Sequence, residues 1–406
     1  MKSLKLKDNI YYIGSQDPEL EVFDIIMRTE FGTSYNSYLV KGSEKTALIE
    51  TVKFKFFDEY IGKLKELDIN VNDIDYIILN HTEPDHSGSI EKILGMNPNI
   101  QLVGSKTAIE FMKHIANREF NSLVVKDGDE LSLGDKNFKF FDAKFLHWPD
   151  TMFSYIEEDK LLFSCDAFGA HYSIDTVLLS TVMNKEDYMK AFKYYFDNIL
   201  APFKKFFIEA INKIEGLQIE MVCTGHGPVL DENPWEIINL SKELSTENES
   251  DSKLVVIPYV SAYGYTKELA EEIAKGVMTN NIKVEIYDMV TEKKDKVLER
   301  TYCSDGLLFG TPTMVGEALE PIWELLISMY PPVYKNKIAS AFGSYGWSGE
   351  GVPHIMERLK QIRMKIFGNG IKVRFKPSDE QLKEVYEFGV EFGKAVLSGK
   401  VPAVDK

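Results

Sequence analysis

Cysteine is scarce in this chain. Cys165, Cys223 and Cys303 are too few and too scattered for a disulfide framework. No Cys-x-x-Cys occurs, which excludes a redox dithiol, a zinc ribbon and a rubredoxin-type iron site within the 406 residues. Basic charge is short too: Lys plus Arg number 47 against 63 Asp plus Glu, a formal net charge of -16. That balance opposes binding to a nucleic-acid backbone or an anionic membrane surface, and it says nothing about fold. No run approaches the ~18 apolar residues of a membrane span. Lys2, Lys5 and Lys7 are not followed by the apolar core of a signal peptide. A reduced, cytoplasmic protein with no nucleic-acid or membrane partner is expected. Histidine is also sparse, with seven in the chain, and their placement is the most informative feature of the sequence.

At ~100–200 residues per domain the length suggests two or three domains. The polar, acidic run 241–252 has one apolar residue, Leu244, and reads as a linker or frayed helix end. Domains are therefore expected at 1–248 and 253–400. The second alternates strand-like runs (254–260, 282–287, 305–310, 337–343, 371–375) with helical stretches (266–278, 317–329, 350–365, 378–397). That alternation implies a doubly wound parallel sheet. The first is a mixed α/β domain. Its strands are expected at 10–13, 36–40, 46–50, 74–80, 100–104, 138–142, 153–157, 160–164 and 220–224, and its helices at 54–67, 105–115 and 186–214.

After the strand at 74–80, His81, Glu83, Asp85 and His86 fall within six consecutive positions. Two imidazoles and two carboxylates so close suit one or two divalent metals, and strand-end loops are where α/β proteins place ligand groups. The alternative is a polar turn with a helix cap at Ser87. His147, Asp166 and His226 each sit at a further strand end. A helix-bundle iron site would need two Glu-x-x-His motifs. The one match, Glu83-Pro-Asp-His86, contains a proline and has no second copy. His171, five residues after Asp166, is either a proton donor or substrate contact beside the ligands, or plain packing. Tyr195 could face the same site. His114 and His354 read as structural, and Cys165 and Cys223 as small buried hydrophobes.

This set resembles the metallo-β-lactamase superfamily motif His-x-His-x-Asp-His followed by a distant His, a bridging Asp and a last His. The resemblance implies an αββα sandwich. Here Glu83 stands where that family has its second histidine. Carboxylate-rich nitrogen and oxygen donor sets shift preference from zinc toward iron or manganese.

In the second domain the first strand leads into Ser261, Ala262, Tyr263, Gly264, Tyr265 and Thr266, then a helix. Small and hydroxylated residues at a helix N-terminus make a phosphate cradle. The loop is neither a Walker A nor a Gly-x-Gly-x-x-Gly motif, and it is similar to the flavodoxin signature, with Tyr263 replacing its middle Thr. Two later loops carry Thr311, Pro312, Thr313 and Met314, and Ser344, Tyr345, Gly346, Trp347, Ser348 and Gly349. Tyr345 and Trp347 offer flat faces to an isoalloxazine. The cradle serves one phosphate, so FMN fits better than FAD.

A lactamase-like domain with Glu83 followed by a flavodoxin-like domain resembles the flavodiiron proteins (A-type flavoproteins) over residues 1–400. The resemblance implies reduction of O2 to water or NO to N2O at a non-haem di-iron site. It implies His81, Glu83 and His147 on one iron, Asp85, His226 and often His86 on the other, and Asp166 bridging. It also implies a head-to-tail homodimer or dimer of dimers, and an external electron donor, either rubredoxin or coenzyme F420. A ferrous pair and a reduced FMN together supply the four electrons that O2 requires. The alternatives are a zinc-dependent hydrolase fused to a flavodoxin module, and an electron carrier with a vestigial metal site.

Overall fold

The computed structural model describes residues 2–24, 27–246, 253–329 and 331–402. The chain divides into two compact units, Met1–Thr246 and Glu247–Lys406. The linker expectation for 247–252 lies outside the described residues. Its first part is helical: Pro234–Ser245 is a continuous α-helix. Leu240 and Leu244 pack on the core of the first unit, which holds the polar stretch in a helix to its end.

The first unit is built on two sheets. One orders the strands Leu4–Lys7, Ile10–Tyr12, Tyr38–Lys41, Thr46–Ile49, Tyr76–Leu79, Gln101–Gly104 and Asn121–Val124. The other orders Glu130–Ser132, Asn137–Asp142, Met152–Ile156, Leu161–Cys165 and Met221–Thr224. Ile10, Val40, Ile49 and Ile78 of the first sheet share one buried cluster with Phe138, Phe140, Leu161 and Phe163 of the second. The outer faces are covered by helices, Phe57–Glu66 and Lys106–Ala116 on one side, Lys185–Tyr195 and Lys204–Ile214 on the other. The expected αββα sandwich is therefore present. The strands Thr46–Ile49 and Tyr76–Leu79 pair parallel, as do Leu161–Cys165 and Met221–Thr224. Residues following each parallel pair thus leave the sheet at the same edge.

The expected helix over 186–214 is broken. Lys185–Tyr195 gives way to a π-turn, Phe196–Leu200, and a 3-10 turn, Ala201–Phe203, before Lys204–Ile214. Pro202 lies at the break, where its ring and missing N–H cannot continue an α-helix. The strand expected over 46–50 stops at Ile49, and Glu50 turns out of it at φ +58°. The helices Ile90–Met96 and Pro234–Ser245 were not expected as such.

The second unit is an all-parallel sheet ordered Lys283–Asp288, Leu254–Tyr259, Gly306–Gly310, Ile338–Tyr345, Lys365–Ile366. Ile371–Arg374 also pairs with Ile338–Tyr345, so the last sheet position is shared by two short strands where one was expected. Buried clusters on both faces show it to be doubly wound. The three loops singled out in the sequence lie at the ends of Leu254–Tyr259, Gly306–Gly310 and Ile338–Tyr345, the last strand running on through Ser344 and Tyr345, which pair with Val373 and Arg374. The strand order reverses beside the first of these, which is where such sheets bind ligands.

Gly343, near the end of the strand Ile338–Tyr345, lies tight against the loop that follows Gly306–Gly310. A Cβ there would lie 1.8 Å from the Thr311 carbonyl oxygen. Gly343→Ala is expected to destabilise the second unit by about 1–3 kcal/mol, the cost of overpacking. Denaturant unfolding followed by flavin release reads this, and an unchanged midpoint would show that the strand and the loop are not tightly apposed.

Candidate metal centre and flavin loops

The central sequence cluster begins where Tyr76–Leu79 ends. Glu83 precedes a single helical turn, Pro84–Ser87, with Pro84 at its first position, where its fixed φ and missing N–H cost nothing. His86 and Ser87 donate their N–H groups to Glu83 O, both at 2.9 Å. Ser87 closes the turn rather than capping a helix, its hydroxyl donating to Thr82 O at 2.8 Å.

Two groups of potential ligand atoms result. His81, Glu83, His147 and Asp166 each offer one atom within 4.8 Å of the others, and Asp85, His86 and His226 do the same. Glu83 Oε2 lies 3.2 Å from His81 Nε2 and 2.9 Å from His147 Nε2. Asp166 Oδ2 is 3.5 Å from each of those nitrogens. Its other oxygen, Oδ1, is 3.1 Å from His86 Nε2 and 3.4 Å from His226 Nε2. Asp85 Oδ2 lies 3.1 Å from His226 Nε2 and 3.5 Å from His86 Nε2. One carboxylate thus faces both groups, one oxygen to each. The structure brings all seven proposed ligand residues together.

These side chains are deeply enclosed. His81, Asp85, His86, Asp166 and His226 are buried, and Glu83 and His147 are partly so. Neither oxygen of Asp85, nor Asp166 Oδ2, has an aligned hydrogen bond despite the short distances. Buried carboxylate oxygens are costly without donors or a cation. Three unpaired carboxylate oxygens among converging imidazole nitrogens fit a shared metal ion, and the donor types fit iron.

The protonation pattern points the same way. Burial lowers the basicity of His81, but Asp150, Glu83 and Asp166 outweigh it and push its pKa well above the ordinary value. His86 is raised against burial by Asp85, Cys165, Glu50 and Asp166, and His226 is raised against burial mainly by Asp85. Asp166 is held well below the carboxylate range, against burial, by His86, His81 and His226. The carboxylates thus raise the basicity of His81, His86 and His226 against their burial.

Four supporting contacts were not legible in the sequence. Asp150 Oδ2 accepts from Thr82 N and Oγ1 at 2.8 Å each and lies 3.2 Å from His81 Nδ1. Glu50 Oε1 accepts from His81 N at 3.0 Å, and its Oε2 is 3.3 Å from His86 Nδ1. His226 Nδ1 donates to Ser34 O at 2.6 Å. Asp24 shares a hydrogen bond with Glu83; burial and then this neighbour raise its pKa to about 6. Asp150 had one available signal, its place three residues after His147. Asp24 had none.

His171 lies beside the cluster, its ring centroid 5.2 Å from that of His226 and 4.8 Å from that of Tyr195. Both residues are buried. Thr33 Oγ1 is 2.9 Å from His171 Nδ1, while His171 Nε2 and Tyr195 OH have no hydrogen-bond partner. His114 and His354 are exposed and stand outside both groups, His354 Nδ1 lying 2.7 Å from Glu317 Oε1. Cys165 and Cys223 are buried free thiols whose pKa values burial raises.

The three loops of the second unit also meet. Gly264, at φ +87°, precedes the helix Tyr265–Met278 and has open space where a Cβ would stand. Its neighbours Ala262 and Tyr263 are exposed, and Ser261 Oγ accepts from Lys267 N at 3.2 Å. The helix N-terminus therefore offers backbone N–H groups and its dipole to an anion. Thr266 turns inward, 3.0 Å from Ser344 Oγ, so it joins two loops. Thr311 and Pro312 are buried, and Thr313 Oγ1 accepts from Gly351 N at 3.2 Å. Met314, Ser348 and Trp347 are exposed, Trp347 at 98% and Tyr263 at 80%. Tyr345, Gly346 and Gly349 are half-buried. An anion cradle ringed by uncovered aromatic faces fits a single-phosphate flavin.

A metal must displace the protons held by the histidines whose pKa is raised. Loading Fe(II) into metal-free protein at pH 7 is therefore expected to release protons, and affinity should fall as pH falls. Calorimetry in two buffers of different ionisation enthalpy measures the release. Identical heats in both buffers would contradict the charge pattern.

Comparison with known proteins agrees with this geometry. Residues 33–227 match the family described as ODP family beta lactamase, and residues 257–389 match flavodoxin. The chain is 40% identical to the flavo-diiron protein FprA2 of Clostridium acetobutylicum, covering 98% of this chain and all of that protein. It is 34% identical to the anaerobic nitric oxide reductase flavorubredoxin of Escherichia coli, over 98% of this chain and 84% of that one. The crystal structure of the flavodiiron protein from Giardia intestinalis superposes with a TM-score of 0.66 at 27% identity, covering 98% of each chain. The chain belongs to the flavodiiron proteins, oxidoreductases that carry FMN and a non-haem di-iron site.

Proposed function

We propose that this chain reduces O2 to water, NO to N2O, or both, with electrons passed through FMN from an external donor such as rubredoxin. The observation that carries the reading is Asp166, whose two oxygens face separate groups of donors. In this reading His81, Glu83 and His147 would hold one iron and Asp85, His86 and His226 the other, with Asp166 available to both. When bound, the ferrous pair and reduced FMN supply two electrons each, the four that take O2 to two waters, while two electrons take two NO to N2O and water. Glu83 in place of histidine favours this chemistry over a zinc hydrolase.

The surrounding residues orient a small molecule and limit water. Burial and the neighbouring His226 hold His171 well below its ordinary pKa, so it is a neutral imidazole. With one ring nitrogen engaged by Thr33, the other can hydrogen-bond a small guest. Burial keeps the Tyr195 hydroxyl protonated, and we assign it the same role. Phe23 packs on His171 and His226, with ring centroids 4.3 and 5.2 Å away, and screens that side of the site. A head-to-tail dimer that brings FMN to the partner's irons, and a cytoplasmic setting, complete the proposal. Coenzyme F420 is the second donor to test.

Steady-state turnover with O2 and with NO, using reduced rubredoxin, tests the reading. Asp166→Ala should lower kcat by at least about 100-fold, the scale of losing several kcal/mol of ion-held stabilisation. FMN content should stay unchanged. Full turnover in that variant would remove Asp166 from the site.

A further inference from the structure

Each proposed iron has one histidine whose far side meets a buried carboxylate, Asp150 or Glu50, that is in neither of the two groups assigned to the irons. Asp150 is fully buried, and its Oδ2 gathers three donors from two adjacent residues: Thr82 N, Thr82 Oγ1 and His81 Nδ1. With Nδ1 held as a donor to Asp150, the lone pair of the neutral His81 ring falls on Nε2, the atom facing Glu83 and Asp166.

Glu50 does the equivalent work on the other side. It is 2% exposed and follows the strand Thr46–Ile49 at φ +58°, a conformation that costs a non-glycine residue energy. Several bonds hold it there. Its N–H donates to Ile78 O at 2.9 Å, and its carbonyl accepts from Ser37 Oγ at 3.1 Å. The side chain then reaches both histidines. Oε1 takes the backbone N–H of His81, and Oε2 stands 3.3 Å from His86 Nδ1, an ion-pair approach rather than an aligned hydrogen bond. The next residue, Thr51, donates its N–H and hydroxyl to His86 O at 2.8 and 2.6 Å. Backbone and ring of His86 are thus gripped by consecutive residues.

Glu50, His86 and Cys165 also converge within 4.8 Å, which raises the question of a third metal. Only three donors converge there, all are enclosed, and His86 would have to serve two ions. The cluster reads instead as support behind a ligand.

We propose that Asp150 and Glu50 are positioning residues behind the two irons, Asp150 bracing the ring of His81 on one and Glu50 the ring of His86 on the other, while Glu50 also holds the backbone N–H of His81. The inference rests on the di-iron reading and adds that Glu50 keeps His86 in a coordinating pose. Glu50→Gln is the sharper probe. A glutamine keeps the shape and can still accept from His81 N through its carbonyl oxygen, but it removes the negative charge that faces His86 Nδ1.

The test measures Fe(II) affinity on the full-length, FMN-loaded protein by chelator competition, with 57Fe Mössbauer spectra identifying the iron affected. Glu50→Gln should weaken the iron that His86→Ala weakens, and Asp150→Ala the one that His81→Ala weakens. Each loss should be about 10–100-fold, usual for an outer partner of a ligand. In the His86→Ala background, Glu50→Gln should cost nothing more. An equal loss in both backgrounds, equal weakening of both irons, or failure to fold in either background assigns Glu50 to the scaffold and overturns the inference. So do unchanged affinities. A wild-type protein lacking two irons would instead defeat the di-iron reading itself.

Discussion

Three carboxylates and four imidazoles converge in an interior from which water is largely excluded, and Asp166 stands between the two halves of the set. Charged oxygens in such a place are unfavourable unless cations or hydrogen bonds meet them. Asp85 and Asp166 lack aligned hydrogen bonds for three of their four oxygens. Much of the surrounding structure serves this one requirement. It supplies imidazoles of the right orientation and leaves the carboxylates free to meet metal charge.

The sandwich meets the requirement through strand ends. Parallel pairing sends Glu50 and the His81–His86 segment out of one sheet at a common edge, and Asp166 and His226 out of the other. The packed faces between the sheets hold those strands in fixed register. The second unit uses the same device at its switch point, where loops at the ends of three parallel strands gather the helix N-terminus and exposed aromatic faces. Both sites are therefore loop chemistry on a rigid frame.

Much of this was legible in the sequence, for identifiable reasons. His81, Glu83, Asp85 and His86 are adjacent in the chain, so their common purpose shows without a fold. His147, Asp166 and His226 could be joined to them because each follows an apolar strand. Asp24 and Glu50 could not, and Asp150 only by its place three residues after His147, since an isolated acid near a strand end looks like any surface carboxylate until the chain closes around it. Glu50 was further concealed inside an expected strand that ends one residue earlier. The helix over 186–214 failed because its periodicity runs smoothly past Pro202, where backbone chemistry overrides it. Of the two readings of 241–252, the helix end holds as far as Ser245, where Leu244 packs on the core.

Anomalous diffraction at the iron edge, on crystals grown and handled without oxygen, tests the placement of Asp166 most directly. Two iron peaks are expected roughly 3.5–4 Å apart. One oxygen of Asp166 should lie on each, with His81, Glu83 and His147 around the first iron and Asp85, His86 and His226 around the second. A single peak, or two peaks not joined by Asp166, would contradict the account.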